Sequence, residues 1–474
     1  MNLASFIYEQ VIGRFQYDPT SCQKSMLSKA AEFISSSDDD IFVINGYAGT
    51  GKTSAISTFI NVLKDNVIPV VLLAPTGRAA KVLSLYSGLP AQTIHKHIYK
   101  QKSMGEDGFG QFSLFINKLK NAVFVVDEVS LIGIDSFTNQ YHTAFGSGNL
   151  LEDLISFVRG GNACKLILIG DSAQLPPVGM DESPALSKDY MRGFGACVFS
   201  EMTTVVRQKQ ESGILVNATA IRQKLGIRDF SSLELSSKNF PDIERVGGGE
   251  LREVLEDAYA RYGEDQTIVL CRSNKRANKY NNYIRGAILY KEERLSRGDK
   301  LMIVKNCYQF IDDLENVAYI ANGDVVNLLK ISNYEQRYGL NFAQARLSLP
   351  EYGDQEFVAT VILDTLDSEF ASLSYEQQNI LYLGVNEDYA DIPTKKKRYE
   401  AVREDKFLNA LQIKYANAIT CNKAQGGQWD CVFIDNPYWQ EGFTEDDFRW
   451  LYTAVTRGIQ KVYLVNFKDD YFNE

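Results

Sequence analysis

Only three histidines are present, His95, His97 and His142, and the seven cysteines are scattered without a C-x-x-C pair. A zinc site would need an unusual ligand set, and dispersed cysteines in odd number read as reduced, mostly buried thiols. Long apolar runs are also missing. The longest, residues 67–74 (VIPVVLLA), is the size of a strand and falls well short of the ~18 residues of a membrane span. The N-terminal stretch MNLASFIYEQVIGRF carries Glu9 and Arg14 and has no cleavable apolar core, so no secretory signal is read there and a cytoplasmic location is the expectation. Basic charge is in deficit: the net charge of −10 argues against a protein that coats nucleic acid indiscriminately and leaves room only for a local basic track.

What is present is an ordinary globular composition, 45% hydrophobic and 23% charged, over 474 residues, enough for roughly two to four domains. The chain is organised around residues 41–54, IFVINGYAGTGKTS. Four apolar residues and an Asn read as a buried strand, and Gly46, Tyr47, Ala48, Gly49, Thr50, Gly51, Lys52 and Thr53 then fit G-x-x-x-x-G-K-[ST] without a mismatch. In such a loop the glycines let successive N–H groups turn inward on phosphate, and the following helix adds the positive end of its dipole. Lys52 is expected to reach the β- and γ-phosphates of ATP and the Thr53 hydroxyl to sit on Mg²⁺. About fifteen residues upstream, on an amphipathic helix, Gln23 has an amide that could pair with an adenine edge or simply cap the helix start.

Downstream, three more apolar strands each end in polar residues, where ligands gather in open α/β sheets. The strand in residues 67–75 leads to Thr76, Arg78 and Lys81, which suit a phosphodiester backbone. The strand 122–126 ends in Asp127 and Glu128, readable as metal holder and general base for water. The strand 165–169 leads to Gln174 before Pro176 and Pro177, placed to sense the γ-phosphate. Residues 93–122 read as an inserted hairpin turning at Gly105–Gly108, with His95, Lys96, His97 and Lys100 interleaved with aromatics; they could stack bases or pack on the main domain. In residues 271–285, Arg272, Lys275, Arg276 and Lys279 fall on one helical face, either a nucleic-acid contact or a solvated surface. From 298 to about 367 the hydrophobic period shifts towards 2, which reads as a small inserted barrel; residues 374–408 read as polar and helical, and the three tryptophans near the C-terminus read as core.

In order, GYAGTGKT, APTGRAAK, VVDEVS, GDSAQLPPV, TVVRQ, CNKAQGGQW and YTAVTRG resemble the motif series of superfamily 1B helicases of the RecD-like and phage Dda-like kind. The resemblance implies an α/β protein of two RecA-like P-loop domains. The first, residues 1–203, would carry a β-hairpin pin at about 93–121; the second, 204–297 and 409–474, would carry an SH3-like barrel at 298–408. It implies an ATP-dependent, Mg²⁺-requiring helicase that moves along single-stranded DNA, 5′ to 3′, and opens forked duplexes as a monomer, a translocase without unwinding and an RNA-directed relative being the alternatives. Gln23 would read adenine, Arg207 and Arg457 would be arginine fingers, and Gln428 would stand near the ribose in place of a commoner Glu. Thr76, Arg78, His95, Lys275, Thr420 and Lys423 would lie along the nucleic acid. Asn422 stands where relatives often have His.

Overall fold

The computed structural model describes residues 2–15, 17–104, 110–134, 146–206, 212–311, 314, 315, 317, 319–439 and 442–472, with the backbone alone at 101–104, 110 and 111. Chain order begins with strands β1 (Ile41–Gly46), β2 (Val70–Ala74) and β3 (Ala91–Thr93), then the hairpin β4 (Tyr99–Met104) and β5 (Gly110–Leu114). Strands β6 (Val123–Val126), β7 (Lys165–Gly170) and β8 (Cys197–Met202) follow. Apart from the hairpin these pair as one parallel sheet in the order β3-β2-β6-β7-β1-β8. Strand β1 is apolar at every early position because both faces of the sheet are covered. Phe42 and Ile44 point into a core shared with helices α1 (Ser21–Ser35) and α2 (Lys52–Asp65), while Ile41 and Val43 point into the core under helix Leu150–Arg159.

The second domain uses the same device. Strands β9 (Ile243–Val246) and β10 (Thr267–Cys271) precede a closed barrel of β11 (Lys300–Ile303), β12 (Val325–Arg337), β13 (Leu340–Leu349), β14 (Gln355–Ile362) and β15 (Leu411–Tyr415). The chain then returns through β16 (Ala418–Thr420), β17 (Trp429–Asp435) and β18 (Gly458–Val465) to complete a parallel sheet ordered β16-β10-β17-β18-β9. Helix α3 (Gly77–Ser87) belongs to the first domain; α4 (Gly213–Ile227), α5 (Asn274–Tyr283) and α6 (Glu445–Val455) belong to the second.

Two RecA-like sheets, a hairpin insert and a barrel insert are thus the expected architecture, with three local corrections. The barrel closes through β15, beyond the expected limit at 408, because residues 411–420 serve two sheets: Leu411–Tyr415 pairs with β11 and β14, and Ala418–Thr420 pairs with β10. A short helix, Ile94–Ile98, stands where the hairpin was expected to begin, its first turn closed by the Thr93 hydroxyl accepting the Lys96 N–H. Arg272 precedes α5 rather than sharing its face. The helices expected within 374–408 are present as Tyr375–Asp388 and Lys395–Glu404. The turn expected at Gly105–Gly108 lies outside the described residues, as does Arg207. Among the described residues no helix is long and apolar enough to cross a membrane, and all seven cysteines are free thiols. Trp429 and Trp450 are core, and Trp439 packs edge-on against Phe443, Phe467 and Tyr471.

Candidate nucleotide cleft and nucleic-acid track

The order β6-β7-β1 sets three carboxyl ends side by side, so Asp127, Asp171 and the Gly46–Thr53 loop converge although 44 residues separate Asp127 from Asp171. The loop curls because Gly49 and Gly51 adopt φ of 75° and 74°, a region costly for side-chain-bearing residues, and Gly51 is the N-cap from which α2 starts at Lys52. Thr50 pins the curl by donating its hydroxyl to the Tyr47 carbonyl at 2.7 Å. The Lys52 ammonium bonds the Gly46 carbonyl and lies 3.7 Å from Asp171 Oδ2, folded across the cradle that phosphate would fill.

Asp127 accepts the Glu128 N–H at 2.8 Å, and Glu128 itself sits at φ 55°, a left-handed conformation for a residue with a side chain. Such strain concentrates at functional sites. Burial, and next the neighbouring Glu128 charge, push the Asp127 carboxyl up to about 6, against the lowering effects of the Glu128 N–H and Lys52. A carboxylate buried this way gains from a close cation, and together with the Thr53 hydroxyl in the first turn of α2 it suits a divalent ion.

The second domain closes this cleft through α6. The Tyr452 hydroxyl accepts the Ala48 N–H of the loop at 2.8 Å and donates to Asp171 Oδ2 at 2.7 Å. One residue on, Thr453 Oγ1 accepts the Leu175 N–H at 2.8 Å, and Gln425 Nε2 donates to the Leu175 carbonyl at 2.7 Å. Arg457, 3% exposed, is held by the Thr453 and Gly427 carbonyls, each at 3.1 Å, and its Nη1 is 3.9 Å from Glu128 Oε1. The predicted base and the predicted finger therefore meet across the cleft. Gln174 is also here, buried, with its Oε1 lacking a hydrogen-bond partner, an acceptor oriented in a site built for further ligands.

Gln23 takes the helix-capping role and adds a contact to the P-loop. Its Oε1 accepts the Thr20 N–H at 2.8 Å in a capping box, and its Nε2 donates to the Thr50 carbonyl at 3.0 Å, so the amide braces the loop in this structure. Gln428 is exposed and accepts the Tyr86 hydroxyl at 3.2 Å, on the α3 side of α2.

Along the nucleic-acid track the outcome is mixed. Thr76 caps α3 by accepting the Ala79 N–H at 3.2 Å, close against Gly426 of the second domain, and Thr420 stands at the N-cap position of the turn that carries Lys423, without a side-chain bond to it. Lys423 donates to Asn322 Oδ1 at 2.5 Å and is thereby tied to the barrel, with burial lowering its pKa. Arg78 is not presented as a free phosphate contact: its guanidinium lies 4.8 Å from the Trp429 ring centroid and its Nε is 3.6 Å from Glu351 Oε1. Lys275 pairs with Glu369 at 2.8 Å, Arg272 with Asp446 at 2.6 Å, and Arg276 Nε donates to Asp435 at 2.7 Å. The basic face expected there is thus largely neutralised. His95 brings no cation at neutral pH, since burial pushes its pKa down to about 4.

The sequence reading missed Asp171, Gln425, Tyr452 and Arg449, whose guanidinium binds the Ser172 and Gln174 carbonyls. It also missed Arg222, stacked 4.6 Å from the Tyr47 ring centroid. Asp171, Gln425 and Tyr452 lie inside motifs already singled out; Arg222, on α4, carried no signal.

The chain is also similar to known proteins. A family model described as an AAA domain matches residues 25–232, and one described as a UvrD-like helicase C-terminal domain matches 415–465. The chain is 25% identical to the ATP-dependent DNA helicase Dda of Enterobacteria phage T4 over 456 residues, covering 89% of this chain and 93% of that protein. It is 30% identical over 141 residues to the RecD2 DNA helicase of Deinococcus radiodurans, 29% of this chain and 16% of the relative. An uncharacterised protein of Methanocaldococcus jannaschii is 21% identical over 465 residues; that match spans 89% of this chain but only 36% of the relative's length. By its ordered motifs, the cleft they build and these matches, the chain is similar to the superfamily 1B helicases, a family of ATP-hydrolysing P-loop motors.

Proposed function

We propose that the chain is an ATP-driven helicase that moves 5′ to 3′ along single-stranded DNA and parts forked duplexes at its β4–β5 hairpin. The observation that carries the reading is the approach of Arg457 to Glu128 across the cleft, 3.9 Å, with Tyr452 on the same helix bonded to the P-loop. Similarity along almost the full length of a phage DNA helicase supports it, and the polarity rests on that likeness.

In this mechanism Lys52 leaves the Gly46 carbonyl and Asp171 to hold β- and γ-phosphate oxygens, while the loop N–H groups cradle the rest. Thr53 and Asp127 would hold Mg²⁺, which supplies charge neutralisation between the phosphates. Glu128 orients and deprotonates the attacking water, and Arg457 meets the charge developing on the γ-phosphoryl group. Arg207 would add a second finger. Because Arg457 arrives on the second domain, turnover requires closure; because Thr453 and Gln425 hold the backbone that follows Gln174, loss of the γ-phosphate is passed to the second domain. Closing and opening then change the grip of Thr76 and Thr420, on opposite domains, on the strand between them.

Steady-state ATP hydrolysis with oligothymidylate, a matched RNA oligomer or neither tests the reading. Stimulation by DNA well above RNA is the expected result. Preferential stimulation by RNA would make the chain an RNA-directed motor, and unwinding lost on deleting residues 104–111 with ATPase retained would separate helicase from simple translocase.

A further inference from the structure

The N-terminus of α3 is built as an anion site, and the anion it holds is the protein's own. Thr76 caps the helix, Gly77 and Arg78 head its first turn, and Lys81 follows one turn on. Against this end the barrel sets two acidic side chains, Asp324 from the turn before β12 and Glu351 from the turn after β13. Approach is so close that a Cβ on Gly77 would fall 3.0 Å from Glu351 Oε2 and 3.2 Å from Asp324 Oδ1. Glu351 is only 10% exposed at its side chain, its Oε1 is 3.6 Å from Arg78 Nε, and its Oε2 is buried without a hydrogen-bond partner.

Such a group is costly inside a protein. Two carboxylates face one guanidinium, and the strain is visible in both: burial, and then the charge of Glu351, push Asp324 up to about 7, while burial raises Glu351 against the pull of Arg78 and Lys81. Asp324 is at least anchored, its Oδ2 accepting the Ala321 N–H at 2.7 Å. Glu351 has no comparable anchor, so its stabilisation comes from the electrostatic field of the helix end and of Arg78. A carboxylate oxygen held by a helix N-terminus and an arginine occupies the place a phosphate oxygen would take.

We propose that Glu351 is a built-in competitor for a backbone phosphate of the single strand, occupying the phosphate subsite of Thr76, Gly77 and Arg78 until nucleic acid displaces it. The proposal rests on the reading of the chain as a DNA motor. The same ion pair bolts the barrel to the first domain, since Arg78 is at once stacked on Trp429 of the second domain and paired with Glu351 of the barrel. Strand binding therefore frees the barrel from α3, and strand release lets Glu351 return, which gives an acidic protein a means of letting go between steps.

The test is equilibrium binding of a labelled oligothymidylate without nucleotide, measured over a salt series for the wild-type chain, Glu351→Gln, and Glu351→Gln combined with Arg78→Ala. Neutralising Glu351 is expected to tighten binding about tenfold at low salt, the order of one additional charge-assisted hydrogen bond to phosphate. It should also steepen the slope of log K against log salt by about 0.7, one further phosphate neutralised on a single strand. Removing Arg78 in that background should cancel both effects. Glu351→Ala repeats the prediction should the glutamine disturb packing. Unchanged or weaker binding with an unchanged slope would overturn the proposal and leave Glu351 a structural brace. No binding by any form, wild type included, would sink the DNA-motor reading itself.

Discussion

Tyr452 is the residue on which the cleft turns. Its hydroxyl bonds the P-loop N–H of Ala48 and the buried Asp171 at once, linking residues 404 and 281 positions apart. Tyr452→Phe keeps the ring and removes both bonds, so Asp171 is left short of a donor at a cost of about 1–3 kcal/mol. ATPase assays should show kcat several-fold lower with nucleotide binding nearly intact; an unchanged kcat would make the bridge incidental. Arg457→Lys should lose on the order of 10³ in turnover while nucleotide still binds, because a finger acts on the transition state rather than on the ground state. Hydrolysis near wild type in that variant would remove Arg457 from the mechanism. His95 offers a pH prediction. Its folded pKa, about 4, lies below the unfolded value near 6.5. The unfolded chain therefore takes up a proton first as pH falls, and stability present above pH 6.5 is lost down to about pH 4. Urea titrations of His95→Gln should show a flatter acid slope across that window.

At the scale of elements, side-chain bridges decide how the barrel is spliced into the second sheet. Asn281 on α5 donates to the Ala418 carbonyl at 2.8 Å and accepts the Ala418 N–H at 2.7 Å, where the chain has just left the barrel and enters β16. Asn281→Ala leaves both backbone groups buried and unpaired, and should cost about 2–4 kcal/mol in denaturant midpoint; a loss under 0.5 kcal/mol would mean water replaces the amide. The P-loop, the three polar strand ends and the barrel strands β11 to β14 were legible in the sequence because each is written in contiguous residues: a motif of fixed spacing, an apolar run, a period of two. The fate of charged side chains was not. Arg78, Lys275, Arg272 and Arg276 read identically whether they face solvent, DNA or a carboxylate, and their partners lie 94 to 273 residues away in sequence. Strand β15 was hidden for a related reason, since nothing local marks where the chain passes from one sheet to another.

Taken whole, the molecule is two similar sheets facing each other, with the groups proposed for catalysis divided between them: Lys52, Thr53, Asp127 and Glu128 on one side, Arg457 on the other. In the proposed mechanism hydrolysis depends on closure, and the hydrogen bonds of Thr453 and Gln425 to the backbone of Leu175 are the contacts that would carry closure towards Thr76 and Gly426. The inserts sit where that motion can be used. The Phe112 ring of the hairpin lies 5.3 Å from Tyr308, whose ring in turn lies tilted 5.3 Å from Tyr319, so the hairpin is braced from the barrel side. The most direct measurement is ATP-driven opening of two matched duplexes, one with a 5′ single-stranded tail and one with a 3′ tail. The account predicts that only the 5′-tailed duplex opens; opening of the 3′-tailed duplex alone, or of neither while ATP is hydrolysed, would contradict it.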